Sequence, residues 1–328
     1  MLSALLLVLS AADAGASPDA GAGEPILPAL TRMAKDVEPT VKAAWVKDWL
    51  HAVKALRSLP PRTFFCAKDR SRCLTEAEAK KLKDAERAEL VQRAADDDLV
   101  YARITDPLGY TRPYDVLAAQ GFSPKGRKVL DFGYGNAGQL LMLASLGADV
   151  TGIEVDALLP LAIAPLAGPV KGGGKLRVLN GYFPKDAALV KQVGGGYDLF
   201  ISKNTLKRGY VHPEKPVPPR STIDLGVSDL EFAKLVAGML KPGGLFYIYN
   251  LSPAPAPPDK PYLPMADGRC PFAKETLEAA GFEVLAYDVV DDDAARAMGK
   301  ALGWDQDPQD PFDVEHDLFS HYTIARRK

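Results

Sequence analysis

The chain has little of what builds metal or thiol chemistry. Its 328 residues include three cysteines and four histidines. No C-x-x-C occurs, and His51, His316 and His321 are scattered away from the cysteines, so no metal centre is expected. Cys66, Cys73 and Cys270 make an odd count. Cys66 and Cys73 flank a short polar segment and either pair in an oxidising compartment or remain free structural thiols. An excess of one charge is also missing, since 40 basic side chains against 42 acidic ones leave −2. No general attraction to nucleic acid or anionic lipid follows, and no Lys/Arg cluster with interleaved aromatics stands out, so no nucleic-acid partner is expected. No apolar run is long enough to span a bilayer, and no internal repeat is seen. With 47% hydrophobic and 25% charged residues, the chain can still bury a sizeable core.

What is present begins with a leader. Residues 2–10 are a Leu-rich run followed by Ala12-Asp13-Ala14 and Ala14-Gly15-Ala16, which fit an A-x-A cleavage pattern. Residues 1–24 therefore read as a secretory signal or low-complexity leader, which implies export to a periplasm-like compartment, and otherwise the chain is cytoplasmic. From 25 to 125 the pattern reads as a helical cap. Ile26, Leu30, Met33, Val37, Val41, Trp45, Trp49 and Val53 recur at helical spacing, with Pro39 opening a second helix. Thr75 with Glu78 is a capping box for a charged helix reaching about Ala95. Tyr110, Arg112 and Tyr114 lie in an aromatic connector that either closes over a ligand or packs cap against core.

At Lys128 the pattern changes to short β-branched runs alternating with helical stretches. Strands are expected at 128–132, 150–155, 176–179, 197–202, 245–250, 282–288 and 319–325, and helices at 139–146, 186–193, 229–240, 274–280 and 294–302. The expected class is α/β, with a doubly wound, mostly parallel, Rossmann-like seven-stranded sheet over 126–328. An antiparallel edge hairpin suits the last strand.

The segment Val129-Leu130-Asp131-Phe132-Gly133-Tyr134-Gly135-Asn136-Ala137-Gly138 is a strand ending in a glycine-rich turn that opens a helix. Gly133 and Gly135 permit a sharp turn and a close backbone approach to a ligand. Glu154 ends the second strand, where a carboxylate accepts the ribose hydroxyls of an adenosine. The same spacing fits a dinucleotide fingerprint. Asp131 weighs against a pyrophosphate and suits a ligand bearing an amino group and a sulfonium.

Residues 128–156 resemble motif I and the following acidic strand of the class I S-adenosylmethionine-dependent methyltransferases. Leu240-Lys241-Pro242-Gly243-Gly244-Leu245, Gly281-Phe282-Glu283-Val284 and residues 319–326 resemble that family's later strands. The resemblance implies S-adenosyl-L-methionine as cofactor, with Asp131, Gly133, Tyr134, Gly135, Glu154, Tyr182, Phe183 and Ser202 as contacts. Ala137 stands where the family's third motif-I glycine is found. Tyr182 replaces a carboxylate common after the third strand, which points to aromatic rather than acidic contact with adenine.

Methyl transfer from a sulfonium mainly requires alignment and sometimes proton removal. The turn after the fourth strand supplies the candidates: Lys203 and Asn204 to orient substrate or the methionine part of the cofactor, and His212 as a base. No Asn-Pro-Pro-Tyr-type motif stands at 202–205, which disfavours an adenine- or glutamine-amide acceptor. The expected activity is methyl transfer to a small molecule or a protein side chain. The alternatives are a non-catalytic nucleotide-binding module and an NAD-dependent oxidoreductase.

Overall fold

The computed structural model describes residues 24–102, 107–306 and 312–328. The expected leader, 1–24, lies outside the described residues except for Glu24. Among the described residues no helix is long and apolar enough to cross a membrane, and no group of three or more His, Cys, Asp or Glu is placed to hold a metal.

The strands run in chain order as β1 (Arg62–Cys66), β2 (Cys73–Thr75), β3 (Val91–Ala95), β4 (Lys128–Phe132), β5 (Asp149–Glu154), β6 (Gly168–Pro169), β7 (Lys175–Asn180), β8 (Tyr197–Lys203), β9 (Leu240–Ser252), β10 (Phe282–Val290) and β11 (Phe319–Arg327). The main sheet has eight strands in the order β10-β11-β9-β8-β4-β5-β7-β6. The seven expected strands are all present. The eighth, β6, is a two-residue antiparallel addition beside β7, too short to leave a periodic signal. Strands β7, β5, β4, β8 and β9 are mutually parallel. β11 runs antiparallel between β9 and β10 and is therefore internal, with β10 at the edge.

The central strands are buried on both faces, as parallel sheets require; every residue of β8 is buried. One core lies on the face carrying helices Gly138–Ser145, Leu158–Ile163 and Asp292–Ala301 together with the N-terminal helices. A second lies under helices Ala187–Val193, Asp229–Met239 and Lys274–Ala279. The fold is thus doubly wound. Chain order reverses at β4, which sends β5 one way and β8 the other. The crevice beyond the C-terminal ends of β4 and β8 is the switch point where ligands bind in such sheets.

The N-terminal region corrects the expectation of an all-helical cap. Helices Ile26–Val37 and Ala44–His51 are present, but β1, β2 and β3 form a separate antiparallel sheet in the order β2-β1-β3. The Thr75/Glu78 capping box forms as expected, yet its helix stops at Ala79. Helix-forming composition at 76–95 has no continuous apolar stripe to bury, and Val91–Ala95 pairs with β1 instead, so tertiary pairing overrides propensity. Pro39 opens a single 3-10 turn, Glu38–Thr40. The cap is keyed to the core by Arg112, whose guanidinium grips Asp291 through two 2.7 Å hydrogen bonds. The Tyr114 hydroxyl also donates to Gln139 Oε1 at 3.1 Å.

Candidate functional site

The glycine-rich turn closes beneath the switch point. Gly133 and Gly135 sit at φ +71° and +66°, the left-handed region that favours glycine. Gly133 is also sterically required, since a Cβ there would lie 2.2 Å from Thr205 Oγ1. The turn after β8 is therefore pressed directly onto the turn after β4. Glu154, at the end of β5, faces the same turn. Its Oε2 accepts from Gly135 N at 3.3 Å. Its Oε1 accepts from Val155 N at 2.8 Å and Asp156 N at 3.4 Å. The carboxylate is fixed at the strand end, where ribose hydroxyls would be met.

Beside it, Val155 and Tyr182 are 48% and 56% exposed, unusual for large apolar residues next to a buried sheet. They are held together because Gly181 N donates to Glu154 O and Asn180 Nδ2 donates to both Glu154 O and Val155 O. An apolar ledge thus adjoins a fixed carboxylate, an arrangement suited to a purine and its ribose.

Three of the other expected contacts have structural duties. Tyr134 is fully buried, with its ring against the Gly152 backbone; a Cβ on Gly152 would lie 2.5 Å from that ring. Phe183 belongs to the second core, edge-on to Phe132 and Phe232. Ser202 is fully buried, and its Oγ accepts from Leu206 N at 3.1 Å, closing the turn after β8. All three expected cofactor contacts thus have side chains turned into the protein interior. An aromatic or hydroxyl residue beside a glycine-rich turn reads the same in sequence whether it points into the core or out of it.

Asp131 does not face open space either. Its Oδ2 lies 2.5 Å from Lys203 Nζ, with both side chains at most 1% exposed. Lys203 also sits 5.1 Å from the centre of the Tyr110 ring. Burial pushes the Asp131 carboxyl up and the Lys203 ammonium down, each against the attraction of its partner. The negative charge read as a feature for a cationic ligand is thus met by the chain's own cation. Asn204 adopts φ +62°, and its Oδ1 accepts from Leu251 N at 2.6 Å, stitching the turn to β9. His212 is about half exposed and bonds Asp229 at 3.0 Å. Lys203, Asn204 and His212 are therefore engaged separately, with a carboxylate, a backbone amide and a helix-end carboxylate.

Two features were missed from sequence. Lys207 is buried, donating to Leu251 O at 2.5 Å and Met265 O at 3.0 Å, and burial pulls its ammonium down to about 7. A lysine held by carbonyls carries no sequence signal. A cavity of about 410 Å³ lies beyond the end of β9, lined by Pro255, Pro257, Tyr262, Arg269, Phe319 and His321 among others. Its only sequence trace is the second proline-rich loop, at 253–264. His321 Nδ1 is buried without a hydrogen-bond partner.

No protein-family model matches the chain, and no curated protein sequence matches it. Solved structures do. The [4+2]-cyclase SpnF is 21% identical at TM-score 0.40, over 66% of this chain and 80% of that one. The magnesium protoporphyrin IX methyltransferase ChlM from Synechocystis PCC 6803, with SAM bound, is 17% identical at TM-score 0.35, over 67% and 81%. An S-adenosylmethionine-dependent methyltransferase from Mesorhizobium loti is 18% identical at TM-score 0.37, over 67% and 98%. At that degree of overlap the likeness adds no weight beyond the strand order and side-chain geometry described above.

Proposed function

We propose that the chain is an S-adenosylmethionine-dependent methyltransferase acting on a small molecule or a protein side chain. The observation that carries this is Glu154, fixed by the Gly135 amide at the switch point and flanked by exposed Val155 and Tyr182. In this reading Glu154 accepts the ribose hydroxyls, Val155 and Tyr182 take the adenine, and the turn at 133–135 admits the donor's backbone-close portion. The bound donor supplies an electrophilic methyl group. The chain then needs only to hold the acceptor in line and exclude water. The cavity beyond β9 is the acceptor's place in this reading. Among the titratable groups on its wall, His321 and Tyr262 are the candidates for a base. The Cys66–Cys73 bond supports work in an oxidising compartment.

One observation favours a second reading. With Lys203 neutralising Asp131, that carboxylate no longer repels a pyrophosphate, and an NAD-dependent oxidoreductase regains ground. Against it stands the antiparallel β11 between β9 and β10, which departs from the all-parallel 3-2-1-4-5-6 order of dinucleotide-binding sheets.

Isothermal titration of the full chain with S-adenosylmethionine, S-adenosylhomocysteine and NAD decides between them. The first two should bind, and Glu154→Ala and Glu154→Gln should each weaken binding by about 30-fold or more, the loss of charge-assisted hydrogen bonds. Binding of NAD alone would overturn the proposal.

A further inference from the structure

The β1–β2 hairpin reaches the cofactor end of the main sheet, and nothing in the proposed function uses it. Cys66 and Cys73 face each other in register and are disulfide-bonded. The tip between them is tightly shaped. Ala67 N donates to Arg72 O, Arg70 N donates to Ala67 O, and Asp69 Oδ1 accepts from both the amide and the hydroxyl of Ser71. Arg70 is held at φ +56°, a conformation that a non-glycine residue keeps only when its surroundings enforce it. β2 has three residues, too few to define a hairpin unaided.

This tip docks on the turn that carries Glu154. The Arg70 guanidinium meets Asp156 Oδ2 at 3.1 Å, with the two side chains only 17% and 14% exposed. Arg70 O accepts from Ala157 N at 3.0 Å. Asp156 Oδ1 also accepts from Leu158 N at the start of helix Leu158–Ile163. The Val155 and Asp156 amides are the ones that hold Glu154 Oε1. A continuous chain of contacts therefore runs from the disulfide through Arg70 and residues 155–157 to the Glu154 carboxylate.

We propose that Arg70 is a positioning residue for Glu154, and that the Cys66–Cys73 disulfide keeps it in place, so that cofactor affinity depends on the redox state of this bond. The proposal rests on the methyl-donor reading of Glu154. A dithiol reductant supplies the chemistry. Its thiolate attacks one sulfur, its second thiol resolves the mixed disulfide, and two electrons and two protons pass to Cys66 and Cys73 as the reductant becomes a disulfide. The freed tip then loses the constraint that holds Arg70 left-handed against Asp156.

The test uses the full chain in four forms: oxidised, reduced with dithiothreitol, Cys66→Ser/Cys73→Ser, and Arg70→Ala, with Arg70→Lys as the conservative variant. Two quantities are read: the Kd for S-adenosylhomocysteine, and amide hydrogen exchange of residues 155–157 in the ligand-free protein. Reduction, the double serine variant and Arg70→Ala should each weaken binding about tenfold, the scale of one charge-assisted contact. Each should also speed exchange at 155–157 while leaving β4 unchanged. Arg70→Lys should recover most of the affinity, and Arg70→Ala should no longer respond to dithiothreitol. Equal exchange at 155–157 in oxidised and reduced protein would overturn the proposal, as would a full redox response in Arg70→Ala. If the oxidised chain binds no S-adenosylhomocysteine, the methyl-donor reading fails, and the exchange comparison still decides whether the hairpin positions this turn.

Discussion

Removing the Lys203 ammonium alone tests how the centre of the sheet is held. Lys203 Nζ and Asp131 Oδ2 are 2.5 Å apart, and neither side chain is more than 1% exposed. At an effective dielectric near 20, two unit charges about 3 Å apart attract by about 5–6 kcal/mol. Withdrawing each charge from water costs several kcal/mol, so the pair as a whole contributes little. Lys203→Met keeps the desolvation of Asp131 and removes the attraction, which should cost about 3–5 kcal/mol. The loss should depend on pH. Burial already raises the Asp131 pKa with the lysine present, and without it the rise is larger. A carboxyl whose folded pKa lies above its unfolded value, about 3.9, binds its proton more tightly when folded. Its contribution is complete below that unfolded value and is lost as pH rises through the folded pKa. Lys203→Met should thus approach the parent protein in acid and fall away toward neutral pH. Asp131→Leu/Lys203→Met should recover most of the loss. Urea unfolding followed by circular dichroism between about pH 4.5 and about pH 7.5 reads this directly, and the neutral-pH cost corresponds to a Tm lower by about 4–8 °C for a chain of this length. A Lys203→Met cost below about 1 kcal/mol at neutral pH, or one independent of pH, would refute the account of a dry, mutually dependent pair.

Three further outcomes follow from the geometry. Cys270 is buried and its thiol is pushed up to about 12, so a thiol reagent at mildly alkaline pH should find no reactive cysteine in the native chain, one after denaturation, and three after denaturation with reduction. Lys207, at about 7 when folded against roughly 10.4 unfolded, binds fewer protons in the folded state across that interval. Its contribution to stability should therefore increase as pH rises from about 7 toward 9.5, and Lys207→Met should flatten that slope in chemical-denaturation series. Gly133→Ala adds a Cβ 2.2 Å from Thr205 Oγ1 at φ +71°, so it should lower stability by at least about 2 kcal/mol and abolish cofactor binding in the same titration.

Most of the sheet was legible because β4, β5, β8 and the 245–250 part of β9 are short apolar runs bounded by turn residues, and burial on both faces leaves that composition little freedom. The Gly133/Gly135/Glu154 arrangement was legible for a similar reason. It is set by local backbone requirements that spacing alone records. The side chains between those fixed points were not. Tyr134 reads as a loop aromatic until Gly152 is seen to make room for its ring. Asp131 reads as a carboxylate awaiting a cation until Lys203, 72 positions on, is found against it. Arg70 gave no signal because its partner, Asp156, belongs to a turn 86 residues away. In each case the deciding contact joins separate elements, a steric one for Tyr134 and polar ones for Asp131 and Arg70, and no periodicity encodes it.

The Asp131–Lys203 pair also changes what separates the two ligand readings. Before it was seen, local charge favoured a cationic sulfonium over an anionic pyrophosphate. With both charges buried and matched, the neighbourhood is close to neutral toward either ligand. Discrimination then falls to groups that remain oriented toward the crevice and to the sheet's connectivity. In the proposed function Glu154 would serve any adenosine, and the Val155/Tyr182 ledge any adenine. The antiparallel insertion of β11 closes the far side of the sheet against β9, where the cavity with Tyr262 and His321 opens. A dinucleotide spans the switch point with a second mononucleotide half built from parallel strands. Here the corresponding ground is an antiparallel strand pair beside a proline-lined cavity, which under the proposed function would leave one nucleoside site and a separate place for an acceptor.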